Sequence, residues 1–245
     1  MLEKALKYLV GMGRAEVKNV TLPDGAVQVY SDRHLDRLDR YYPLAEPVKM
    51  RTLTSLVDYI RSDTDTMAEK MIIQVESPER VALFSQLNGS RQRERLAVVE
   101  AQVPSFTYDR FIDHEAFLIG IQAKFLDDPQ TDKALLLRFS GTVESGSLTE
   151  YGDDGVTQKE TVRNGISSKT DAVVPNPVKL RPYRTFAEVE QPASSFVFRM
   201  SDTKNGISCA LFEADGGAWR NLAMESVKEY LQEELKEFGA FTVIS

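Results

Sequence analysis

Apolar residues recur at helical spacing in three parts of the chain. The segment Leu2–Val10 has this spacing and is followed by Gly11, which predicts a short first helix. Leu53–Arg61 predicts a second helix, capped by Thr52 or Thr54. The strongest signal predicts a long amphipathic helix near the end of the chain, and its apolar stripe consists of Trp219, Leu222, Ala223, Val227, Tyr230, Leu231, Leu235 and Phe238.

Alternating apolar and polar residues predict several β-hairpins. Three pairs of such segments flank turn-forming residues: Ala15–Val20 with Ala26–Tyr30, Val81–Gln86 with Leu96–Val103, and Ser194–Met200 with Ile207–Ala214. The last pair carries Asn205-Gly206 at its turn, a dipeptide that favours positive φ angles. Strands joined as hairpins favour an α+β fold with antiparallel sheet over a doubly wound parallel one.

The middle of the chain has a weaker pattern. Tyr108–Leu126 suggests a buried helix, part of which could be strand, and Lys133–Phe139 fits either a strand or a helix. Residues 140–168 are polar and glycine-rich, so loops or edge strands and a flexible insertion are expected there. Prolines interrupt Lys169–Glu190 and confine any strand there to a sheet edge. We predict a single α+β domain over residues 1–245, with a possible subdivision near residue 126.

Composition narrows the functional classes. The chain has 245 residues, one Cys, two His and a net charge of −7. A single Cys excludes an internal disulfide framework, and these residues are too few for a Cys/His zinc site within one protomer, so no metal and no cofactor is expected. No apolar run has the length of a membrane span, and the first residues do not read as a signal peptide. The acidic balance disfavours duplex DNA as a partner. These features predict a cytoplasmic protein without membrane association.

Candidate catalytic motifs are short and isolated. Tyr151–Asp154 reads YGDD, the metal-binding turn of viral RNA-directed polymerases, but no second aspartate motif accompanies it, which favours a surface turn. His114 lies between two acidic residues, yet neighbours in sequence point in different directions, which favours a structural role. Cys209 occupies an apolar strand, which predicts that it is a small buried side chain of the core. The sequence therefore predicts a protein that is not an enzyme.

Two features suggest binding surfaces. The loop of the second hairpin contains three arginines, Arg91, Arg93 and Arg95. They form either a solvated turn or a set of contacts to nucleic-acid phosphates. The final helix and the apolar segment after it predict an oligomer interface, because an exposed β-branched strand readily adds to the sheet edge of a neighbour. The interface residues expected are Trp219, Phe241, Val243 and Ile244. The alternative is that helix and strand both pack on their own domain.

The order of these features resembles the YfdQ-like family, a group of phage and prophage proteins of uncharacterised function. The resemblance runs from about Thr21 to Phe238 and rests on these features in order: the turn Thr21–Gly25, the segment Leu35, Leu38 and Tyr41 before Pro43, the helix Leu53–Ile60, the segment Arg181–Phe186, the hairpin Phe196–Met200 with Ile207–Phe212, and the terminal helix. It implies phage origin and a bacterial-host cytoplasm, and it transfers no catalytic residue.

Three functional hypotheses follow. The first is a non-catalytic phage accessory protein that forms a homo-oligomer, with itself as the expected partner and a phage or host protein as a further one. The second is a single-stranded nucleic-acid accessory that binds through Arg91, Arg93 and Arg95. The third is a nucleotide-signal binder acting against host defence, with Arg181 and Arg184 holding phosphate.

Overall fold

The protein is described here by a computed structural model. It describes residues 2–5, 17–21, 27–31, 37–38, 44–65, 67, 70–88, 91–141, 148–153, 157–162, 172–203 and 206–245. The chain divides into two compact units, of which the first comprises residues 1–46 and 87–94 and the second comprises residues 47–86 and 95–245. Residues on both sides of residue 126 belong to the second unit. The predicted subdivision near residue 126 stays a prediction.

The first unit contains a small antiparallel sheet. Its strands are β1 (Val17–Thr21), β2 (Val27–Ser31) and β3 (Arg37–Leu38), in the order β1-β2-β3. Thr21 pairs with Val27, which confirms the predicted first hairpin, although its turn lies outside the described residues. Residues 2–5 are helical, as predicted for the start of the chain, and the rest of that predicted helix also lies outside the described residues.

The second unit contains a five-stranded mixed sheet in the order β15-β5-β6-β7-β4. Its strands are β4 (Val48–Met50), β5 (Met71–Ser77), β6 (Arg80–Phe84), β7 (Arg95–Glu100) and β15 (Phe241–Ile244). The central strands form antiparallel hairpins, which confirms the second predicted hairpin. The two outer strands, β4 and β15, pair in parallel with their neighbours, which the hairpin pattern did not predict.

Two helices contribute to the hydrophobic core of this sheet. Helix α1 (Leu53–Ser62) begins at Thr52, whose side chain accepts a hydrogen bond from the Ser55 N–H at 3.2 Å, and this confirms the predicted cap. Its buried residues recur at helical spacing: Leu53, Leu56, Val57 and Ile60. They share one core cluster with Val227, Leu231 and Leu235 at the end of the chain.

A second sheet has the order β12-β13-β14-β8. Its strands are β8 (Ile112–Asp113), β12 (Val178–Leu180), β13 (Ser194–Thr203) and β14 (Gly206–Glu213). Helices α2 (His114–Lys124) and α3 (Lys133–Gly141) share a core with it, centred on aromatic residues that include Phe117, Phe139 and Phe198. The predicted β13–β14 hairpin is confirmed, and Tyr108–Leu126 contains the expected helix together with the short strand β8. Lys133–Phe139, which the pattern left open as strand or helix, is helical.

The polar middle segment forms part of a third sheet. Strands β9 (Leu148–Asp153), β10 (Thr157–Val162) and β11 (Ala172–Pro175) pair antiparallel in the order β11-β10-β9. Loops or edge strands were expected within residues 140–168: β9 is an edge strand, whereas β10 is the central strand of this sheet. The stretches 142–147, 154–156 and 163–171 lie outside the described residues. The described residues have the predicted α+β fold, with mostly antiparallel strand pairs and the long helix Ala218–Glu234.

Candidate functional site

The candidate assembly surface is formed by the last helix and the last strand. Helix α4 (Ala218–Glu234) buries Trp219, Ala223, Val227 and Leu231, which recur at four-residue spacing. Its predicted apolar stripe is thereby confirmed with one exception, because Leu222 has 53% of its surface exposed. The helix therefore packs on its own domain, which was the alternative reading of its apolar face.

Strand β15 completes the sheet of the same protomer. It pairs in parallel with β5, with Phe241 opposite Met71 and Val243 opposite Ile73. Val243 is buried in the core that α4 covers, whereas Ile244 on the other face of the sheet is 42% exposed. Two of the four predicted interface residues, Trp219 and Val243, thus lie in the interior, and Phe241 packs partly against the same core.

The outer edge of β15 is unpaired among the strands that the structure describes, because β15 is the first strand in the sheet order. The carbonyl of Ala240 accepts a hydrogen bond from the Met71 N–H at 2.8 Å. Backbone groups of successive residues point to opposite edges of a strand, so Thr242 and Ile244 bond toward β5. The N–H and C=O groups of Val243 and Ser245 therefore face the outer edge, together with the C=O of Phe241.

One of these outward groups is already satisfied within the protomer. The N–H of Phe241 donates to the carbonyl of Phe238 at 3.2 Å, in the turn that leads into the strand. Five groups are left on the outer edge of residues 241–245: the carbonyls of Phe241, Val243 and Ser245, and the N–H groups of Val243 and Ser245. Edges of this kind are templates for a further strand.

A groove of about 550 Å³ lies along α4 beside the end of β15. Its lining comes from one side of the helix and from the residue after the strand: Asn221, Met224, Glu225, Lys228, Glu229, Gln232 and Ser245. Ser245 borders a groove that is otherwise lined by α4, so the groove reaches the end of β15.

Arg184, predicted as a phosphate holder in the nucleotide hypothesis, lies in the interior. Only 6% of the residue is exposed, and its guanidinium carbon lies 3.9 Å from the centroid of the Trp219 ring. One terminal nitrogen donates to Glu213 Oε1 at 2.7 Å and the other donates to the hydroxyl of Ser194. Its positive charge is therefore matched inside the protein, which argues against phosphate binding.

Burial shifts the pKa values of two residues in this cluster, Tyr108 and Arg184. Burial raises the pKa of Tyr108 well above its usual range, against the opposing effect of the nearby Arg184 charge. Burial also lowers the pKa of Arg184, while Tyr108 and Glu213 act in the opposite direction. The Tyr108 ring stacks on Phe196 at 5.6 Å between centroids, so the hydroxyl is carried on a ring fixed within the core.

Arg181 is partnered by two carboxylates. Its terminal nitrogen lies 3.3 Å from Asp128 and 3.1 Å from Glu190, and its side chain is 19% exposed. Asp128 and Glu190 would both have to be displaced or neutralised before an anionic ligand reached this arginine. Both arginines, Arg181 and Arg184, are thus paired with carboxylates of the protein itself.

The three loop arginines differ in their surroundings. Arg91 and Arg93 are exposed and belong to the first unit, and Arg91 has a φ angle of 59°. Arg95 belongs to the second unit, where it pairs with Glu76 at 3.1 Å and lies 5.0 Å from the centroid of the Phe84 ring. The ion pair and the ring contact give Arg95 a structural explanation, and the nucleic-acid role of the three residues stays a prediction.

The isolated candidate residues have structural partners. Nε2 of His114 lies 2.8 Å from the carbonyl oxygen of Ser140, and the adjacent Asp113 caps helix α2 through the Glu115 and Ala116 N–H groups. Cys209 is fully buried in the core of the second sheet. Tyr151 begins a motif that runs through β9, and its last residue, Asp154, lies outside the described residues.

Among the residues that the structure describes, no group of three or more His, Cys, Asp or Glu side chains is placed to hold a metal ion. Within the same ranges, none of the helices is long and apolar enough to cross a membrane.

Sequence patterns did not identify the groove residues Lys228, Glu229 and Gln232, because they read only as the solvated face of α4. The β-branched residues before Ser245 carry a signal that predicts a strand. They do not predict that this strand ends beside α4.

Comparisons with protein-family models, with curated proteins and with solved structures find no match for the chain. The resemblance to YfdQ-like proteins therefore stays a prediction.

Proposed function

We propose that this protein is a non-catalytic phage or prophage accessory protein that assembles with copies of itself in the cytoplasm of a bacterial host. The phage context and the location come from the sequence resemblance. The assembly proposal is supported by one observation, the open outer edge of β15, whose end borders the groove along α4.

The chemistry of this surface suits a protein partner better than a small ligand. An open strand edge offers backbone donors and acceptors in a row, which another strand satisfies and a compact metabolite does not. The groove beside it contains both signs of charge, Lys228 together with Glu225 and Glu229, and so has no general preference for anions. Strand addition to the open edge of β15 is therefore the binding mode that these groups favour.

The residues chosen for the alternative functions have other roles. Arg181 and Arg184 are paired with Asp128, Glu190 and Glu213, which weighs against the nucleotide-signal hypothesis. The single-stranded nucleic-acid hypothesis keeps Arg91 and Arg93 as exposed cations but loses support at Arg95, whose charge faces Glu76.

Light scattering after size-exclusion chromatography tests the proposal. The protomer has a mass of 27.6 kDa, and we expect an integer multiple of that mass at micromolar concentration, with particles of uniform shape in negative-stain images. The mass should persist when the salt concentration is raised, because backbone hydrogen bonds and buried apolar surface are screened far less than surface ion pairs. A strict monomer under these conditions contradicts the proposal.

A further inference from the structure

The second unit contains two hydrophobic cores that share no residue among those that the structure describes. One core combines residues of the five-stranded sheet with residues of helices α1 and α4, and the other combines residues of the four-stranded sheet with residues of α2 and α3. Separate cores can open one at a time unless other contacts join them. Whether these two unfold together therefore depends on the contacts between them.

Residues 184–191, here called the bridging segment, contact both cores. At the start of the segment, Arg184 reaches the four-stranded sheet. Its guanidinium donates to Glu213 Oε1 on β14 at 2.7 Å and to the hydroxyl of Ser194 on β13. These bonds attach the segment to the two central strands of that sheet.

The following residues of the bridging segment contact the five-stranded sheet and α1. The Thr185 hydroxyl donates at 2.5 Å to the carbonyl of Pro78, in the turn between β5 and β6. Phe186 is 1% exposed and belongs to the core of this sheet. A carboxylate oxygen of Glu188 accepts from the Thr54 N–H, in the first turn of α1, at 3.2 Å. One short segment therefore reaches both cores.

The side chain of Gln191 holds the bridging segment in this conformation. Gln191 is 5% exposed, and its carboxamide oxygen accepts from the N–H groups of Arg184 at 2.9 Å and Thr185 at 3.2 Å. Its carboxamide nitrogen donates to the carbonyls of Phe186 at 2.9 Å and Val189 at 3.4 Å. The oxygen thus bonds the backbone of both residues at the point where the segment changes from one core to the other.

We propose that Gln191 couples the two cores by fixing the bridging segment, so that the second unit unfolds as one cooperative unit. Gln191 is a positioning residue that acts through this segment. Three of its four hydrogen bonds are buried, and without the carboxamide the backbone groups in them would lack partners. Such unpaired buried groups are costly, so the segment would leave its position. Self-assembly plays no part in the coupling, because every bond named lies within one protomer.

Native-state hydrogen exchange followed by mass spectrometry tests the coupling, because it reports the two sheets separately in the full chain. In the wild-type protein the slowest amides of the β5–β6 and β13–β14 hairpins should exchange through the same opening, with protection factors equal within about threefold. Gln191→Ala should separate the openings, so that these protection factors differ by roughly tenfold or more. The same substitution at an exposed position of α2, Gln122→Ala, should leave both protection factors unchanged.

A destabilising substitution in one core shows whether its effect reaches the other. Lys133→Met removes a buried ammonium of α3 that donates to the Phe125 carbonyl at 2.6 Å, beside the core of the four-stranded sheet. With Gln191 in place, Lys133→Met should lower the protection of both hairpins by the same factor, roughly tenfold. Combined with Gln191→Ala, it should lower the protection of the β13–β14 hairpin alone.

Three results would overturn the proposal. They are unequal protection of the two hairpins in the wild-type protein, equal protection of the two hairpins in the Gln191→Ala variant, and an effect of Lys133→Met on both hairpins of the double variant. Equal losses in Gln191→Ala would give Gln191 a stabilising role without coupling.

A milder variant applies if Gln191→Ala does not fold. Thr185→Val keeps the shape of the side chain and removes only the hydroxyl that bonds the Pro78 carbonyl. It should separate the two protection factors by about threefold, because one contact of the bridging segment is lost while Gln191 keeps its bonds. Equal protection of the two hairpins in this variant would also overturn the proposal.

Discussion

Replacing Arg184 by Met tests whether this arginine stabilises the fold. The substitution keeps an unbranched apolar side chain against Trp219 and removes the guanidinium that bonds Glu213 and Ser194. Breaking a buried ion pair from one side costs about 3–5 kcal/mol. Glu213 is 22% exposed and keeps Arg220 at 3.5 Å, so we expect a cost at or just below the bottom of that range, about 2–3 kcal/mol.

Urea unfolding measured by tryptophan fluorescence is the natural assay, since Trp219 is the single Trp of the chain and contacts Arg184 directly. The expected loss corresponds to a fall of roughly 5–10 °C in Tm for a unit of this size. Protein concentration must be equal in all samples, because assembly shifts apparent stability.

Two matched variants show whether the lost stability comes from the buried ion pair between Arg184 and Glu213. Arg220→Met removes a cation that also contacts Glu213 and Trp219 but is 52% exposed, and its cost should be below about 0.5 kcal/mol. Arg184→Met combined with Glu213→Met removes both partners of the buried pair and should recover much of the loss. If Arg184→Met costs no more than Arg220→Met, the assignment of Arg184 to the core is refuted.

Three further predictions concern other parts of the second unit. Leu231→Ala should cost about 2–5 kcal/mol in urea unfolding because Leu231 is fully buried, whereas the exposed Leu222→Ala should change the free energy of unfolding by less than about 0.5 kcal/mol; equal costs would contradict the orientation of α4. The raised pKa of Tyr108 adds stability that is complete below the ordinary tyrosine pKa near 10 and is lost as the pH rises above it, at about 1.4 kcal/mol per pH unit; Tyr108→Phe should remove this component in alkaline unfolding curves, and an unchanged slope would contradict the burial. Lys133→Met should cost about 1–3 kcal/mol, since the buried ammonium donates to the carbonyl of Phe125 at 2.6 Å; thermal unfolding at the wild-type temperature would contradict that role.

Local elements of the fold were predictable because their signals are local. The apolar spacing and the Thr52 cap define α1, and Gly206, with a φ angle of 98°, lies opposite Thr203 at the end of the β13–β14 hairpin. Each of these signals involves residues within about ten positions of one another. Propensity and turn chemistry therefore suffice to locate such elements.

Long-range pairing was not predictable from the same signals. The segment Phe241–Ile244 reads as a strand, but nothing in it specifies that its neighbour is β5 or that the pairing is parallel. The environment of Arg184 likewise depends on Glu213 and Trp219, which come from distant segments. An arginine in a polar stretch has the same local pattern whether it is exposed or buried, so the phosphate hypothesis was reasonable from sequence and the structure argues against it.

The parallel pairing of β15 with β5 has a consequence for synthesis of the protein. The first core of the second unit begins with α1 and β5 but is completed by Val227, Leu231 and Val243, which leave the ribosome more than a hundred residues later. Until then, the apolar face of α1 and one edge of β5 lack their final partners. A nascent chain that ends before residue 218 should therefore lack part of this core and should be prone to aggregate. The protein should reach its native state only after β15 has emerged from the ribosome.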